Sequence, residues 1–245
     1  MMNTEDDSDT EEIISERTKS EEDTTEIIHS PRDIAPNVEG NTQPPPRGGH
    51  SACYLPQIQQ LVLFGGSSEE GHNNELFYLS ALNGKWSNMS HLQNGEVPAP
   101  RYAHTMSVVL NKLVLFGGFD ATNFFGDVHV LDPNNQRWKQ MPINSLEKPA
   151  ARYAHSCVAL GDKLVVFGGF GANKQIYNDL WVLDVWNGNW VKPELQGEAP
   201  PPRGYHTASL VGHKIVIYGG KNGSIYYNDC HVLDTREYFE RCFIG

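Results

Sequence analysis

An arginine followed three residues later by a histidine occurs four times in this sequence. The copies are Arg47-Gly-Gly-His50, Arg101-Tyr-Ala-His104, Arg152-Tyr-Ala-His155 and Arg203-Gly-Tyr-His206. Histidine can ligate a metal or transfer protons near neutral pH, and arginine can bind a carboxylate through two parallel hydrogen bonds. Each copy supplies a single histidine, and nothing else in the sequence completes a ligand set. A structural role is therefore the leading interpretation of these histidines, with metal binding or catalysis as the alternative.

The other reactive side chains form no recognisable motif. The four cysteines show no C-x-x-C spacing, which predicts reduced thiols rather than a zinc site or a disulfide framework. The remaining body histidines are scattered: His72, His91, His129, His213 and His231. No nucleophile motif, phosphate-binding loop or carboxylate pair stands out. We therefore predict no catalytic residue, no metal, no cofactor and no enzymatic activity.

The four tetrapeptides belong to a longer repeat. Their arginines lie 54, 51 and 51 residues apart, and the glycine pairs that follow them lie 52, 51 and 51 residues apart. A Leu-Asp dipeptide, or Leu79-Ser80 in the first unit, comes next, and in three units a tryptophan stands six residues further on. The glycine pairs are Gly65-Gly66, Gly117-Gly118, Gly168-Gly169 and Gly219-Gly220, and the tryptophans are Trp86, Trp138 and Trp190. Four markers in fixed order at one period indicate an internal repeat.

Each unit contains four short runs rich in Val, Leu, Tyr and Phe, bounded by turn sequences such as Leu82-Asn83-Gly84. Such runs predict a four-stranded antiparallel sheet, with strands a to d, in every unit. The pattern resembles the kelch motif, a propeller repeat of about 50 residues with four strands per blade. The resemblance covers Arg47 to the C-terminus and implies an all-β fold, a kelch-type β-propeller of about four blades. Its glycine pairs would admit close backbone approach or positive φ, and its tryptophans would pack between blades.

The period predicts blades at about 47–97, 98–148, 149–200 and 201–245. Familiar kelch rings have more blades, so an incomplete or open ring is an alternative to a closed one. The fourth unit also has Glu240 where the tryptophan is expected. Residues 32–46 are predicted to be a linker or a closing strand, because Ile34 to Arg47 aligns with Trp190 to Arg203; Ile34 to Val38 would then add to an edge blade. Open blade edges would also allow self-association.

The negative charge of the chain is concentrated before the repeats. Residues 1–46 hold 13 acids and three bases, whereas residues 47–245 hold 17 acids and 16 bases, out of a net charge of −11. With no aromatic and few apolar side chains, residues 1–31 are predicted to form a disordered acidic tail. The absence of a basic face argues against nucleic-acid binding, and no apolar run approaches the ~20 residues of a membrane-spanning helix. A secretory signal is not recognisable, which predicts a cytoplasmic protein, with a nuclear one as the alternative.

Loop lengths predict which face of the propeller binds. Strands alternate in direction, so the long b–c and d–a loops share one face and the short a–b turns lie on the other. Long loops on a rigid scaffold usually carry binding residues. The predicted partner-binding residues are Arg101, Arg152, Arg203, Phe119, Phe124, Phe125, Phe170, Lys174, Tyr177, Lys221 and Tyr226. The alternative is that the arginines and some of the aromatic residues pack between blades.

The leading functional interpretation is a non-catalytic module that binds a protein or peptide partner through this face. The resemblance implies a kelch adaptor or scaffold, in small-GTPase, cytoskeletal or polarity signalling. One alternative is a kelch-fold enzyme or metal-dependent protein, since some kelch propellers host a copper-radical oxidase or an iron-dependent specifier activity. Another is a substrate receptor of an E3 ligase, which would need a BTB, F-box or BC-box element; neither tail contains a recognisable one.

Overall fold

Residues 42–236 are described by the computed structural model of the chain, and they fold into four antiparallel β-sheets, one for each repeat. These sheets are the blades of a β-propeller, so the predicted all-β fold with about four blades is confirmed. The predicted disordered tail, residues 1–31, and the predicted closing strand, Ile34 to Val38, lie outside the described residues. Residues 42–236 contain no helical segment with the length and hydrophobicity of a membrane span.

The strands follow the repeats in chain order. Blade 1 contains β1 (Ser51–Leu55), β2 (Gln60–Phe64), β3 (Ser67–Ser68), β4 (Gly71–His72), β5 (Leu76–Ser80) and β6 (Trp86–Asn88). Blade 2 contains β7 (Asn94–Gly95), β8 (Thr105–Val109), β9 (Lys112–Phe116), β10 (Val128–Asp132) and β11 (Arg137–Gln140). Blade 3 contains β12 (Ser156–Leu160), β13 (Lys163–Phe170), β14 (Ile176–Asp184) and β15 (Asn189–Val191). Blade 4 contains β16 (Thr207–Val211), β17 (Lys214–Tyr218), β18 (Lys221–Asn222), β19 (Ile225–Tyr226) and β20 (Cys230–Asp234), and short 3-10 turns cover Pro56–Ile58, Ser90–Leu92 and Ala172–Lys174.

The main strands of blades 1 to 3 lie side by side in the order a, b, c and d, as the repeat predicts. Neighbouring main strands are antiparallel, and in blade 2 the short strand β7 pairs in parallel with the outer edge of β11. Blade 4 provides strands a, b and c, which are β16, β17 and β20, and residues 42–236 contain no fourth strand for it. The missing strand belongs to the one repeat that lacks the tryptophan.

The apolar core lies between the blades rather than inside any one of them. Each of three buried clusters joins a blade to the next one along the chain. Phe64 of blade 1 meets Trp138 of blade 2 with ring centroids 5.0 Å apart, and Phe116 of blade 2 meets Trp190 of blade 3 at 5.1 Å. A sheet cannot bury an apolar face alone, so stacking provides the burial that stabilises each blade. The tryptophans therefore pack between blades, as the sequence predicts.

Each blade thus has a forward face, which points to the next blade in the chain, and a rear face, which points to the previous one. The innermost strands pack in succession, β1 against β8, β8 against β12, and β12 against β16. Among the described residues no comparable contact joins β16 to β1. The forward face of blade 4 and the rear face of blade 1 are therefore not packed on each other.

The segment that enters blade 1 runs along its outer strand. Thr42 donates its N–H to the carbonyl of Trp86 at 3.1 Å and accepts the Asn88 N–H on its hydroxyl at 2.6 Å. Glu96 makes the same two kinds of contact with the outer strand of blade 2, to Trp138 and Gln140. Residues 42–46 are the described part of the predicted linker. Thr42 contacts the outer strand of blade 1 as Glu96, in the d–a linker between blades 1 and 2, contacts that of blade 2.

Candidate functional site

The arginine of each tetrapeptide is an anchor under the loop face, the face that carries the b–c and d–a loops. Arg101, Arg152 and Arg203 are fully buried. Each binds one aspartate with two nitrogens, and each also donates to the carbonyl of the first glycine of its own blade's pair, 2.8 to 3.0 Å away. The pairs are Arg101 with Asp127, Arg152 with Asp179, and Arg203 with Asp229. A charged group is retained in a buried position only when it is paired in this way.

The partner aspartates are held ionised. Burial alone would raise the pKa of Asp127, but hydrogen bonds from His129 and Arg101 outweigh it and hold the pKa below its ordinary value. In the same strand position Trp181 donates its indole N–H to Asp179 at 2.7 Å, and His231 contacts Asp229 at 2.9 Å. The residue two places after the aspartate therefore serves as a second hydrogen-bond donor to it. This accounts for the histidine in blades 2 and 4 and the tryptophan in blade 3 at that position.

An aromatic ring covers each of these guanidinium groups. Phe125 lies over Arg101 at 4.0 Å, Tyr177 over Arg152 at 4.2 Å, and Tyr227 over Arg203 at 4.3 Å, measured from the guanidinium carbon to the ring centroid. The arginines have no surface left for a partner, so their burial corrects the prediction that Arg101, Arg152 and Arg203 contact one. Phe125 and Tyr177, also predicted to contact a partner, cap this framework from the loop side.

The repeated histidines connect one blade to the next. His104, His155 and His206 are buried, and their Nε2 atoms lie 2.7 to 2.8 Å from hydroxyls of the preceding blade. The hydroxyls belong to Ser51, Thr105 and Ser156, respectively. Burial, with repulsion from the adjacent arginine, lowers the pKa of His104 to about 3 and that of His206 to about 4. These imidazoles are neutral at physiological pH and act as structural links.

The glycine pairs allow the blades to approach closely. Gly117 has φ of +67°, and a Cβ there would lie 2.6 Å from the Arg152 carbonyl oxygen of the next blade. Gly168 has φ of +65°, and its Cβ would lie 2.7 Å from the Arg203 carbonyl oxygen. L-residues rarely adopt this left-handed backbone, and backbone atoms cannot move aside to make room. Close backbone approach and positive φ, the two reasons predicted for the glycine pairs, therefore both apply.

The loop face itself carries a continuous aromatic series. Tyr102 pairs with Phe119 through two backbone hydrogen bonds of 2.9 and 3.0 Å, and Tyr153 pairs with Phe170 through two of 2.9 Å. Each pair joins the residue after the arginine to the residue after the glycine pair of the same blade. The backbone thus fixes one tyrosine and one phenylalanine side by side on blades 2 and 3.

The rings of these pairs make contact across the blades. Tyr153 lies at the centre of the series, with its centroid 5.2 Å from Phe119, 5.5 Å from Phe170 and 6.4 Å from both Tyr102 and Tyr205. Aromatic centroids 4.5 to 7 Å apart attract one another. The series continues to His72 on Tyr102, to Phe124 on Phe119, and to Lys221 over Tyr205 and Tyr226. We call this set the aromatic series; its members are His72, Tyr102, Phe119, Phe124, Tyr153, Phe170, Tyr205, Lys221 and Tyr226.

Blade 4 builds its part of the series differently. Gly204 occupies the place of Tyr102 and Tyr153, and a Cβ on Gly204 would collide with the ring of Phe170. The tyrosine moves to the next position, Tyr205, which has φ of +57° and is 53% exposed. Blades 1 to 3 place Gly or Ala at that left-handed position. A left-handed tyrosine is costly, and such residues often mark functional sites.

The tyrosine hydroxyls are suited to donate hydrogen bonds. Burial first, and then the neighbouring Tyr153 hydroxyl, raises the pKa of Tyr102 and of Tyr205. Both hydroxyls therefore stay neutral over a wide pH range. A ligand on this face would meet flat apolar rings with O–H donors between them.

The loops around the aromatic series differ in charge from blade to blade. Blades 1 and 2 contribute Glu69, Glu70 and Asp120, whereas blades 3 and 4 contribute Lys174 and Lys221. Glu69, Glu70 and Lys174 are exposed. One end of the series is thus acidic and the other basic.

The predicted partner-binding residues fall into two groups. Arg101, Arg152, Arg203, Phe125 and Tyr177 form the framework described above. Those brought together on the surface are Phe119, Phe124, Phe170, Lys221 and Tyr226. Lys174 is an exposed loop residue of blade 3 outside the series.

The predicted set of site residues lacks three groups of the site and its support. His72 and the aspartates gave no motif that points to them, although an acidic residue stands four places before the Leu of the Leu-Asp dipeptide in every repeat. The repeated position of Asp127, Asp179 and Asp229 could have indicated partners for the arginines. Tyr102, Tyr153 and Tyr205 were left out of the predicted set as well. Because these tyrosines lie next to buried arginines in the sequence, the sequence alone does not show that their rings lie on the surface.

The opposite face, which carries the a–b and c–d turns, has a cleft of about 750 Å³ between blades 2 and 3. Its wall includes Leu110, Lys112, Arg137 and Trp186, the last of which is 74% exposed. Trp186 belongs to a turn and contributes to none of the buried clusters between blades. Trp186 is therefore an exposed aromatic residue that lies outside the loop face.

Groups that could support catalysis are sparse in the described part of the chain. No set of three or more His, Cys, Asp or Glu side chains is placed to hold a metal ion there. Burial raises the pKa of Cys53 to about 12 and that of Cys157 to about 11, so neither thiol is a ready nucleophile. Cys230 is exposed on blade 4.

Comparison with known proteins extends the description of the fold. A family model described as "FBX42, beta-propeller domain" matches residues 47–240. Among the similar proteins is the dynein alpha chain of the flagellar outer arm from Chlamydomonas reinhardtii, 39% identical over 153 residues, which is 58% of this chain and 3% of that protein. Host cell factor 1 from Homo sapiens is 34% identical over 207 residues, which is 76% of this chain and 10% of that protein.

Tip elongation aberrant protein 1 from Schizosaccharomyces pombe is 32% identical over 202 residues, which is 78% of this chain and 17% of that protein. The chain therefore spans less than a fifth of the length of each of these relatives.

Proposed function

Because the chain belongs to the kelch-type β-propeller family, we propose that it is a non-catalytic protein-interaction module that binds an extended segment of a partner protein across the aromatic series. The observation that carries this proposal is the unbroken run of rings from Tyr102 through Tyr153 to Tyr205 on the loop face. Aromatic side chains are enriched at protein-binding hot spots because they bury large area at small entropic cost.

The chemistry of the surface indicates the kind of segment that it binds. Flat rings with neutral hydroxyls suit a chain that presents prolyl or aromatic side chains and leaves its backbone carbonyls free to accept hydrogen bonds. The acidic loops of blades 1 and 2 attract a basic residue, and Lys221 attracts an acidic one. The segment therefore lies with its basic end toward Glu69 and its acidic end toward Lys221.

The proposed setting is that of an adaptor or scaffold. Small-GTPase, cytoskeletal and polarity signalling are the contexts that the kelch resemblance implies. The name of the Schizosaccharomyces pombe relative refers to tip elongation, which favours polarity among the three. A cytoplasmic location fits this setting, and a nuclear one is the alternative.

A random peptide library displayed on phage, selected on the purified chain, tests the proposal. We expect enrichment of peptides with proline or aromatic residues and with charges at both ends. The selected peptides are then measured by fluorescence anisotropy against a loop-face variant, Tyr205→Gly with Tyr226→Ala. Both side chains are more than half exposed, and Gly fits the left-handed backbone at position 205. Removing two hot-spot rings should weaken binding at least tenfold.

Trp186→Ala is the matched control, because it removes an exposed aromatic ring of similar accessibility from the opposite face. Unchanged affinity in this control, together with the loss in the loop-face variant, supports the proposal. Selected peptides that bind the loop-face variant normally and lose affinity on Trp186→Ala would transfer the site to the cleft between blades 2 and 3. Absence of any enriched peptide would count against peptide binding altogether.

A further inference from the structure

The three interfaces between successive blades share a set of backbone contacts. The third residue of each tetrapeptide donates its N–H to the carbonyl of the third residue in the preceding blade: Ala103 to Gly49 at 2.7 Å, Ala154 to Ala103 at 2.8 Å, and Tyr205 to Ala154 at 2.9 Å. The second glycine of each pair donates to the arginine carbonyl of the next blade. Those bonds, from Gly66, Gly118 and Gly169, are 2.8 to 2.9 Å long.

Side chains complete each interface. A hydroxyl at the start of strand a meets the histidine of the next blade, as Ser51 meets His104. A phenylalanine at the end of strand b meets the same histidine with ring centroids 5.0 to 5.7 Å apart, as Phe64 meets His104. The forward face thus supplies one hydroxyl, one ring, one carbonyl and one N–H, and the rear face supplies their counterparts.

The forward face of blade 4 presents the same groups, and no counterparts for them lie among residues 42–236. Within residues 42–236 the Tyr205 carbonyl, the Gly220 N–H and the Thr207 hydroxyl have no hydrogen-bond partner. Tyr218 stands where Phe64, Phe116 and Phe167 stand in the other blades. Whereas those three rings are at most 3% exposed, Tyr218 is 54% exposed.

Two further apolar side chains of this face are exposed in the same way. Val211 is 62% exposed, although its equivalent Val109 in blade 2 is 2% exposed. Val232 is 57% exposed, although its equivalent Val182 in blade 3 is 4% exposed. Exposed apolar surface of this kind marks a contact surface.

The rear face of blade 1 presents the complementary half. Gly49 donates its N–H to no described acceptor, and His50 is exposed while the three equivalent histidines are 4 to 7% exposed. Tyr54 occupies the position at which Val108 packs against the first core cluster, and Tyr54 is 47% exposed. Blade 1 therefore presents an N–H for the Tyr205 carbonyl and an imidazole for the Thr207 hydroxyl and the Tyr218 ring.

We propose that the forward face of blade 4 binds the rear face of blade 1 of a second copy of this chain. The argument is continuity: the two faces are halves of an interface that the chain already forms three times. In the described residues the two faces of one copy are not in contact, so a second copy is the occupant that supplies a matching half. Two copies joined at both ends give a ring of eight blades, within the range found for propellers.

The proposed interface is heterologous, because different surfaces of the two copies meet. Such contacts close into a ring when the rotation between copies allows it, and otherwise they continue into a filament. Closure with two copies satisfies both pairs of faces and leaves no exposed half-interface. In the closed ring, His50 of each copy would then meet Thr207 of the other, as His104 meets Ser51.

Sedimentation velocity of the full chain at increasing concentration tests the proposal. Wild type should sediment as a species of twice the chain mass. A forward variant, Tyr218→Glu with Val232→Glu, and a rear variant, His50→Glu with Tyr54→Glu, should each sediment as monomers. All four side chains are exposed in the single chain, so the substitutions should leave the fold intact, which circular dichroism checks. Leu146→Glu, at a fully exposed linker position, is the control that should behave as wild type.

Mixing the two variants distinguishes head-to-tail pairing from other arrangements. Each variant keeps the face that the other has lost, so an equal mixture should associate through one interface, more weakly than wild type. A rear variant that still dimerises alone would indicate pairing through two forward faces and would overturn the proposal. Wild type that stays monomeric at every concentration would also overturn it.

Cys230 provides an independent readout. It lies on the forward face of blade 4, where the equivalent Val128 in blade 2 is 1% exposed. Alkylation of Cys230, followed by peptide mass spectrometry, should slow at least tenfold in the associated wild type relative to the forward variant. Equal alkylation rates at concentrations where wild type associates would place the contact elsewhere.

Discussion

Arg152 binds Asp179 through two parallel hydrogen bonds, 2.7 and 3.0 Å long, although the arginine is fully buried. The same guanidinium donates to Gly168 at 2.9 Å and is covered by the ring of Tyr177. The pair thus ties the d–a segment, the end of strand b and the start of strand c of one blade to each other. Because the Arg152 carbonyl also accepts the Gly118 N–H of the preceding blade, one residue connects two blades and positions the aromatic residue beside it.

Asp179→Asn should destabilise the fold strongly, because it leaves a buried guanidinium without a countercharge. Breaking a buried ion pair by removing one partner typically costs about 3 to 5 kcal/mol. Urea denaturation followed by tryptophan fluorescence measures the change. Lys112→Ala is the control: its contact with Asp132 is exposed and 3.8 Å long, and its loss should cost less than about 1 kcal/mol. Equal effects in the two variants would mean that the buried pair is not a special anchor.

Acidification should destabilise the propeller before its carboxylates titrate. The pKa of His104 and that of His206 are lowered to about 3 and about 4, chiefly by burial, whereas an unfolded histidine titrates near 6.5. Between pH ~6.5 and ~4 the unfolded chain binds protons that the folded chain excludes, so stability is full above this window and falls as the pH drops through it.

Each such histidine contributes a slope of about 1.4 kcal/mol per pH unit in that window. His206→Gln removes one titrating group, and its unfolding free energy should therefore depend less steeply on pH than that of wild type. Urea denaturation at a series of pH values measures both slopes. Identical slopes would show that His206 titrates over the same pH range in the folded chain as in the unfolded chain.

The repeat made part of this framework predictable. Gly117 and Trp138 recur at fixed spacing, and each has one structural task that a single residue type performs, so position in the repeat reveals the role. Arg101 recurs as regularly, but it was predicted to contact a partner and is fully buried instead. The pairing of Arg101 with Asp127 was not predicted, because the two residues are 26 positions apart and meet only through the register of the sheet. Sequence distance alone does not show such contacts.

The binding surface was less predictable than the framework. Whether an aromatic residue of a loop covers an arginine, as Phe125 does, or faces outward, as Phe119 does, depends on the direction of its side chain rather than on composition. Tyr205 is a further example, since it takes the place of a small residue and reaches the series from a left-handed backbone. The structure is needed to tell an aromatic residue that covers an arginine from one that faces outward.

Trp138→Ala should cost far more stability than Trp186→Ala. Trp138 is 1% exposed between blades 1 and 2 and donates its indole N–H to Gln93 at 2.7 Å, whereas Trp186 is 74% exposed. Truncating a buried tryptophan typically costs about 3 to 5 kcal/mol, and exposed substitutions stay within about 0.5 kcal/mol. Denaturant midpoints of the two variants provide the measurement. A small effect at Trp138 would contradict the view that the core lies between blades.

Tyr205→Gly should separate binding from stability. Glycine relieves the left-handed backbone at φ of +57°, while the lost ring contacts with Tyr153 and Phe170 and the greater freedom of the unfolded chain act in the other direction. These opposing effects should leave the unfolding free energy within about 1 kcal/mol of wild type. Affinity for a loop-face peptide should nevertheless fall, because the most exposed tyrosine among the three is gone. Tyr205→Phe is the companion variant, which keeps the ring and removes only the hydroxyl. If Tyr205→Gly unfolded the propeller while Tyr205→Phe bound normally, the residue would belong to the framework rather than to the binding surface.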